Sequence, residues 1–202
     1  MKHFKLRLVI ASALAITASL AYAETTDITV GVSLEPPHLD PTGAAAGAID
    51  SVVYANVFEG LTRFAADGSI LPALAESWTV SDDGLVYTFS LHSGVKFHDG
   101  SSMNSEDVKF SLDRARADDS TNAQKALFSG IDTVEALDST TVRVTLSAPN
   151  GAFIFNMAWG DAVIVAEETI ADAKTNPVGT GPFVFTNWVQ GDSCLLYTSD
   201  AA

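Results

Sequence analysis

One stretch of the sequence decides the fold: residues 74–114 read LAESWTVSDDGLVYTFSLHSGVKFHDGSSMNSEDVKFSLDR. The turn formers Ser-Asp-Asp-Gly at residues 81–84 separate residues 78–80 from residues 85–91. In the second segment apolar residues recur with a period near two, at Leu85, Tyr87, Phe89 and Leu91. Alternation of this kind is typical of a half-buried strand. The stretch therefore predicts a β-hairpin.

The second half of the same stretch predicts a turn followed by a helix. His98, Asp99 and Gly100 form the turn, and Ser105 stands where a helix N-cap is expected. Acidic residues 106–107 suit the positive end of a helix, and the basic run at residues 114–116 suits its negative end. The side chains expected to face inward are Val108, Phe110, Ser111 and Leu112. A metal site at His92 and His98 would need further donors, and no ordered set of them is present.

The first 23 residues are typical of a secretory signal peptide. Lys2, Lys5 and Arg7 precede an apolar core at residues 8–20, and Ala-Tyr-Ala at residues 21–23 supplies the small residues of a cleavage site. The core is shorter than the roughly 20 apolar residues of a membrane span. We expect cleavage after Ala23. Because no cysteine stands at the cleavage point, where a lipid anchor would be attached, we expect a free periplasmic protein.

The chain is acidic. Its formal net charge is −14, and removal of the three basic residues of the signal lowers this to −17. A protein of this charge is repelled by nucleic acid and by anionic lipid. No nucleic-acid partner is expected, and the acidity by itself identifies no ligand.

Hydrophobic patterns predict further elements on either side of the hairpin. The clearest patterns before it are a strand at residues 27–34, a proline-rich segment at residues 35–41 that excludes helix, and a helix at residues 48–64. After it, residues 131–137 and 140–146 predict an antiparallel pair. Less marked patterns predict short helices at residues 122–128 and 167–174 and a buried strand at residues 163–165.

The stretch at residues 74–114 resembles the signature of family 5 extracellular solute-binding proteins, the dipeptide and oligopeptide receptors of bacterial ABC importers. The resemblance extends to three further phrases: NVFEGLTRF at residues 56–64, DGSILPALAESW at residues 67–78, and NPVGTGPFVFTNW at residues 176–188. Phe183 stands where the family usually has tyrosine, which is a mild departure.

The resemblance implies an α/β fold like that of periplasmic binding proteins, with a mixed sheet in a first lobe and a smaller β-rich subdomain inserted in it. Residues 24–61 would begin the first lobe, residues 62–175 would form the subdomain, and residues 176–193 would return to the first lobe. Family members are much longer, so a second large lobe would lie beyond this chain.

The resemblance also implies a function. The protein would capture a peptide or peptide-like solute as a monomer and deliver it to an ABC permease in the inner membrane. It would be no enzyme and would need no cofactor or metal. Two alternatives stay open: a secreted hydrolase whose catalytic residues lie outside this chain, and a ligand-bound chemosensory partner of the same fold.

The segment that follows the first predicted strand is the main candidate for solute contact. Ligands of α/β sheets tend to bind at the carboxyl ends of strands, and prolines hold the backbone there without an ordering cost. Two aromatic residues further along the chain could pack against a solute. The candidate residues are Leu34, Glu35, Pro36, His38, Tyr54 and Trp159.

The last nine residues have a different character. Residues 194–202 read CLLYTSDAA and contain the chain's one cysteine, Cys194. This peptide resembles the translation of a sequencing adapter, and the family resemblance is clear only as far as Asp192. We therefore expect residues 194–202 to be foreign to the gene and poorly packed.

Overall fold

The computed structural model describes residues 27–44 and 47–199. The predicted signal peptide lies outside the described residues. Residues 27–32 belong to a unit of their own, and residues 33–199 form the second unit. Residues 27–34 are exposed and form no strand, so the strand predicted there is wrong. Alternating apolar residues provide a face for a sheet, but a strand also requires a neighbour that pairs with its backbone.

The second unit contains short helices and three small antiparallel sheets. The helices are α1 (Gly47–Val53), α2 (Ser105–Arg116), α3 (Lys125–Phe128) and α4 (Phe153–Asn156), with 3-10 turns at Gly160–Ala162 and Ile170–Asp172. The strands are β1 (Thr62–Phe64), β2 (Ile70–Pro72), β3 (Ala75–Val80), β4 (Val86–Leu91), β5 (Ile131–Asp138), β6 (Thr141–Leu146), β7 (Phe183–Val189) and β8 (Ser193–Thr198). All of these strands pair in the antiparallel sense. The mixed sheet that the resemblance implies for the first lobe would therefore need a further strand that pairs in the parallel sense.

The largest sheet has the strand order β3-β4-β6-β5 and confirms both predicted strand pairs. In the turn between β3 and β4, Asp83 accepts hydrogen bonds from the Ser81 hydroxyl at 2.5 Å and from the Leu85 amide at 3.1 Å. Gly84 adopts φ 73°, which a residue with a side chain rarely does. Tyr87, Phe89 and Leu91 are buried, as the period of two predicts.

Helix α2 begins one residue earlier than the sequence indicates. Its N-cap is Asn104, whose side chain accepts a hydrogen bond from the Glu106 amide at 2.8 Å, while the Asp107 carboxylate accepts from the Asn104 amide at 2.8 Å. This is a capping box. Ser105, predicted as the cap, is buried instead, and its hydroxyl donates to the Asp138 carbonyl of β5.

The helix predicted at residues 48–64 ends at Val53. Ala55 has φ 57°, outside the helical region, and its amide donates to the Phe58 carbonyl at 2.9 Å. Residues 62–64 then pair with residues 70–72 as β1 and β2. Pairing in this short hairpin therefore outweighs the helical pattern of residues 54–64.

Other predicted elements are shorter than their patterns suggest. Residues 163–165 are buried but form no strand: one isolated bridge pairs Val163 with Gly60, and the Val165 amide donates to the Ser111 hydroxyl at 2.9 Å. The helix predicted at residues 167–174 is reduced to the 3-10 turn Ile170–Asp172, and that at residues 122–128 to α3. Apolar periodicity identified the buried segments but not their backbone conformation.

The buried side chains fall into two clusters. The larger lies between the four-stranded sheet, α2 and α4, and includes Phe89, Phe128 and Phe153. The smaller joins Leu39 and Phe58 to Val163 and Val165. The division into a first lobe and an inserted subdomain stays a prediction, because the second cluster draws on residues from both proposed parts.

The end of the chain forms a hairpin rather than a loose tail. β8 pairs with β7, with Phe183 opposite Thr198 at one end and Val189 opposite Ser193 at the other. Leu196 packs against the smaller cluster. Leu195 and Tyr197 are exposed. The foreign origin of residues 194–202 stays a prediction.

Candidate functional site

The segment at residues 33–41 is held in place by buried polar contacts. The Leu39 amide donates to the Lys174 carbonyl at 2.9 Å. The buried carboxylate of Asp40 accepts from the Thr42 amide at 2.9 Å and from the Thr42 hydroxyl at 2.6 Å. Arg114, in the last turn of α2, approaches the same carboxylate at 3.4 Å. The backbone here is therefore fixed to the helix, as a ligand-contacting loop would require.

Four of the predicted site residues lie in this segment. Leu34 is exposed and Pro36 is buried. Glu35 accepts a hydrogen bond from the Gly191 amide at 2.6 Å, in the turn between β7 and β8. His38 accepts one from the Asp40 amide at 3.2 Å through Nδ1. Glu35 and His38 thus have intramolecular partners, and a contact to solute at these four residues stays a prediction.

The structure brings the other two predicted residues, Tyr54 and Trp159, close to each other. Tyr54 follows α1, and its hydroxyl donates to the carbonyl of Ala158, the residue next to Trp159. The pKa of the Tyr54 phenol is raised, first by burial and then by the negative charge of Asp50, while Arg63 acts in the opposite direction. The hydroxyl is therefore protonated at neutral pH and fixed as a donor.

Trp159 belongs to a group of three aromatic side chains that also contains Phe64 and Phe155. The ring centroids of Phe64 and Phe155 are 4.9 Å apart, and each lies 6.3 Å from that of Trp159. Edge-to-face packing of this kind is favourable. Trp159 is nevertheless 40% exposed and Phe155 43% exposed. Adjacent exposed rings are typical of a surface that binds another molecule.

Two carboxylates, those of Asp50 and Asp161, belong to residues that lie next to Gly160, the residue after Trp159. A Cβ placed on Gly160 would be 2.8 Å from Oδ1 of Asp50, so the Asp50 carboxylate lies directly against the backbone that joins Trp159 to Asp161. Asp161 is only 7% exposed. Burial, followed by the negative charge of Asp50, raises the pKa of Asp161 to about 6. Burial alone raises the pKa of Asp50.

We define the candidate ligand-facing surface as Asp50, Tyr54, Phe64, Phe155, Trp159 and Asp161. The sequence suggested Tyr54 and Trp159 as solute contacts, and a contact to solute at these two residues stays a prediction. Nothing in the sequence indicates that Asp50, in the predicted helix, lies against Gly160 in the 3-10 turn that also carries Asp161.

A second concave site lies at the bend before β7. It has a volume of about 330 Å³ and is lined by Glu59, Ala73, Leu74, His92, Val95, Lys96, Thr180 and Pro182. The Thr180 hydroxyl donates to the Glu59 carboxylate at 2.9 Å, and burial raises the pKa of Glu59. Nearby, His98 Nε2 lies 2.8 Å from the Gly181 carbonyl oxygen. These contacts join the bend to the turn at residues 98–100, which indicates a scaffold role.

Comparison with known proteins identifies the family. The profile of the bacterial extracellular solute-binding proteins, family 5, in its middle part, matches residues 69–200. The chain belongs to this family. The match includes the four-stranded sheet, α2 and the residues that supply Phe155, Trp159 and Asp161. The fold is accordingly that of family 5 periplasmic binding proteins.

Similar family 5 proteins bind several solutes. The glutathione-binding protein GsiB of Pectobacterium atrosepticum is 39% identical over 170 residues, covering 82% of this chain and 33% of GsiB. Among solved structures, AgaA from A. tumefaciens R10 in complex with agropinic acid has a TM-score of 0.77 at 34% identity, over 83% of this chain and 34% of AgaA. DppA from Helicobacter pylori in complex with the peptide STSA has a TM-score of 0.73 at 29% identity, over 83% of this chain and 38% of DppA.

This family 5 chain spans about a third of the length of the curated relatives that it matches. Among residues 27–44 and 47–199, no helix is both long and apolar enough to cross a lipid bilayer.

Proposed function

We propose that the protein is the periplasmic substrate-binding component of an ABC importer, which captures a peptide or peptide-like solute and delivers it to the permease. The observation that carries this proposal is the exposed surface of Phe155 and Trp159 beside the carboxylates of Asp50 and Asp161. It combines apolar area for binding energy with polar groups for orientation, which is the usual composition of a small-molecule site. The ligands of the relatives are glutathione, agropinic acid and a peptide.

The proposed mechanism is closure of two lobes around the solute. The ligand-facing surface would supply one wall of the cleft, together with Leu34, Glu35, Pro36 and His38, and the second lobe would supply the other. A single wall leaves the solute half hydrated, so that its hydrogen bonds compete with water. Closure excludes that water, which makes the polar contacts selective and buries the aromatic rings.

Binding is favoured over catalysis as the role of the carboxylate pair. A carboxyl group with a raised pKa could act as a general acid, but family 5 members are transport binding proteins. The hydrolase alternative would require catalytic turnover, and each family member named above is described by the solute that it binds. A chemosensory role of the same solute-loaded protein stays an alternative, because it would use the same binding surface.

Calorimetry on the complete protein tests this function. We expect heat of binding from at least one of glutathione, di- to pentapeptides and opine-type amino-acid conjugates. We expect Trp159→Ala to lower the affinity about tenfold or more, because a partly exposed tryptophan at the centre of a binding surface is commonly a main source of binding energy.

The matched control is Leu137→Ala, which removes an apolar side chain of similar exposure, 43% against 40% for Trp159, from the edge strand β5. It is expected to leave the affinity unchanged. If only sugars or inorganic ions give heat of binding, the assignment of a peptide-like solute is refuted. Equal affinity of wild type and Trp159→Ala would refute the placement of the solute on this surface.

A further inference from the structure

Trp159 lies between two short helical elements, at a point where the main chain is extended. Helix α4 ends at Asn156, and the 3-10 turn Gly160–Ala162 begins directly after Trp159, whose backbone has φ −79° and ψ 152°. Helical elements this short are not stable by themselves. Contacts from other parts of the fold must therefore fix the backbone that carries the indole ring.

The contact on the N-terminal side of Trp159 comes from Tyr54. Ala158 is fully buried, and in the part of the chain that the structure describes its carbonyl accepts from the Tyr54 hydroxyl at 2.5 Å and from no main-chain amide. A buried carbonyl without a donor costs free energy. This carbonyl belongs to the planar peptide group that joins Ala158 to Trp159, so the hydroxyl fixes the plane from which the Trp159 backbone starts.

Tyr54 is itself fixed to helix α1 and to the smaller hydrophobic cluster. Its amide donates to the Asp50 carbonyl of α1 at 3.1 Å, and its side chain packs against that cluster. Burial raises the pKa of the Tyr54 phenol, so the hydroxyl keeps the proton that its hydrogen bond requires. The donor is therefore in place before any solute arrives.

A second side chain holds the main chain on the other side of Trp159. Asn122 is buried, and its side-chain amide donates to the Asp161 carbonyl at 2.9 Å. The rings of Phe64 and Phe155 meet the indole edge to face. The chain is thus held one residue before Trp159 and two residues after it, by side chains that are distant in the sequence.

We propose that the Tyr54 hydroxyl is a positioning group of the solute site, which acts on the solute through Ala158 and Trp159 rather than by direct contact. This inference rests on the proposed solute-binding function. The hydroxyl has one proton and donates it to the Ala158 carbonyl, so it has none to donate to a solute. Holding Trp159 in place before binding lowers the entropy cost of association. A direct contact between Tyr54 and the solute is the alternative.

A double-mutant cycle on the complete protein separates the two. Affinity is measured by calorimetry with glutathione, or with the tightest-binding di- to pentapeptide if glutathione gives no heat of binding. We expect Tyr54→Phe to weaken binding about fivefold, the usual effect of losing one hydrogen bond. In the Trp159→Ala background the same substitution should change the affinity by less than about twofold, because the ring that the hydroxyl positions is absent.

Tyr87→Phe is the matched control. It also removes a tyrosine hydroxyl that donates to a main-chain carbonyl, that of Asn150, at 3.2 Å. Both variants should lower the melting temperature slightly, because each loses one such bond. We expect only Tyr54→Phe to weaken binding.

Fluorine NMR of protein labelled with fluorotryptophan reads the position of the indole without any solute. The signal that is lost in Trp159→Ala assigns the Trp159 resonance. We expect this resonance to shift in Tyr54→Phe and to stay unchanged in Tyr87→Phe. A loss of stability alone would not produce that difference between the two variants.

The outcomes distinguish this inference from the function on which it rests. If Tyr54→Phe binds as tightly as wild type, or weakens binding by the same factor with and without Trp159, the positioning role is wrong while the binding function stands. An unchanged Trp159 resonance in Tyr54→Phe would also overturn it. If Trp159→Ala binds as tightly as wild type, the solute lies elsewhere and the inference fails with that placement. If no solute of any class binds, both the function and the inference fail.

Discussion

Gly179→Ala is expected to destabilise the protein by about 3 kcal/mol or more, or to prevent folding. A Cβ at this position would lie 2.0 Å from the Val57 carbonyl oxygen and 2.9 Å from the Phe58 ring. Overpacking in a core typically costs about 1–3 kcal/mol, and here the clash is with backbone that has little room to move. The bend is held on both sides, since the His98 amide donates to the Gly179 carbonyl and the Gly181 amide donates to the Val57 carbonyl, each at 2.9 Å.

Chemical denaturation of the complete protein measures this effect. Gly151→Ala is the matched control, because nothing lies within 4 Å of the Cβ that it would add. We expect the control to change the free energy of unfolding by less than about 0.5 kcal/mol. A Gly179→Ala variant as stable as the control would show that the bend does not pack on residues 57–58 in this way.

Asp161→Asn is expected to stabilise the protein at neutral pH, by about 1–2 kcal/mol. The pKa of Asp161 is raised from 3.8 to about 6, so its ionised form is disfavoured in the folded state. A rise in pKa of that size corresponds to a cost of about 3 kcal/mol for ionising Asp161 in the folded protein. Contact of the carboxylate oxygens with solvent reduces this cost. The wild type therefore loses the stability that protonated Asp161 contributes as the pH rises from about 4 through 6, and the variant lacks this particular loss.

Unfolding curves recorded between pH 4 and pH 8 test this expectation. The difference between Asp161→Asn and wild type should be near zero at pH 4, should grow through pH 6, and should be constant above pH 7. Asp82→Asn, in an exposed turn, should follow the wild type throughout. A destabilised Asp161→Asn at pH 7 would mean that the carboxylate has a donor and is a structural group.

A stabilised Asp161→Asn variant would mean that the wild-type protein keeps a carboxylate whose ionised form is unfavourable in the folded state. Functional sites commonly contain such locally unfavourable arrangements. Asparagine at residue 161 is then expected to give a more stable protein that binds its solute less well.

The sequence predicted both strand pairs of the four-stranded sheet because their signals are local, whereas it did not predict that β4 and β6 join the pairs into one sheet. The turn residues Ser81 and Asp83 bond each other directly, and the period of two places Tyr87 and Phe89 on the buried face. The start of α2 was misplaced by one residue because Asn104 and Ser105 are both good caps, and only the position of β5 decides that Ser105 bonds Asp138 instead.

The helix predicted to reach residue 64 ends at Val53, because Ala55 leaves the helical region and residues 62–64 form β1 of a hairpin with β2. The candidate ligand-facing surface depends instead on contacts between residues distant in sequence. Tyr54 and Trp159 are recognisable as aromatic candidates, whereas the position of Asp50 against Gly160 arises only from tertiary packing.

A crystal structure of the complete protein with its best-binding solute is the most direct test of the central claim, that this chain supplies one wall of a solute site. We expect solute carbon atoms within about 4 Å of the Trp159 ring, the usual distance of apolar contact, and a polar group of the solute in hydrogen-bond contact with Asp50 or Asp161. A solute seated instead in the cleft lined by Glu59, Lys96 and Thr180, with Trp159 and Asp161 still facing solvent, would contradict the account.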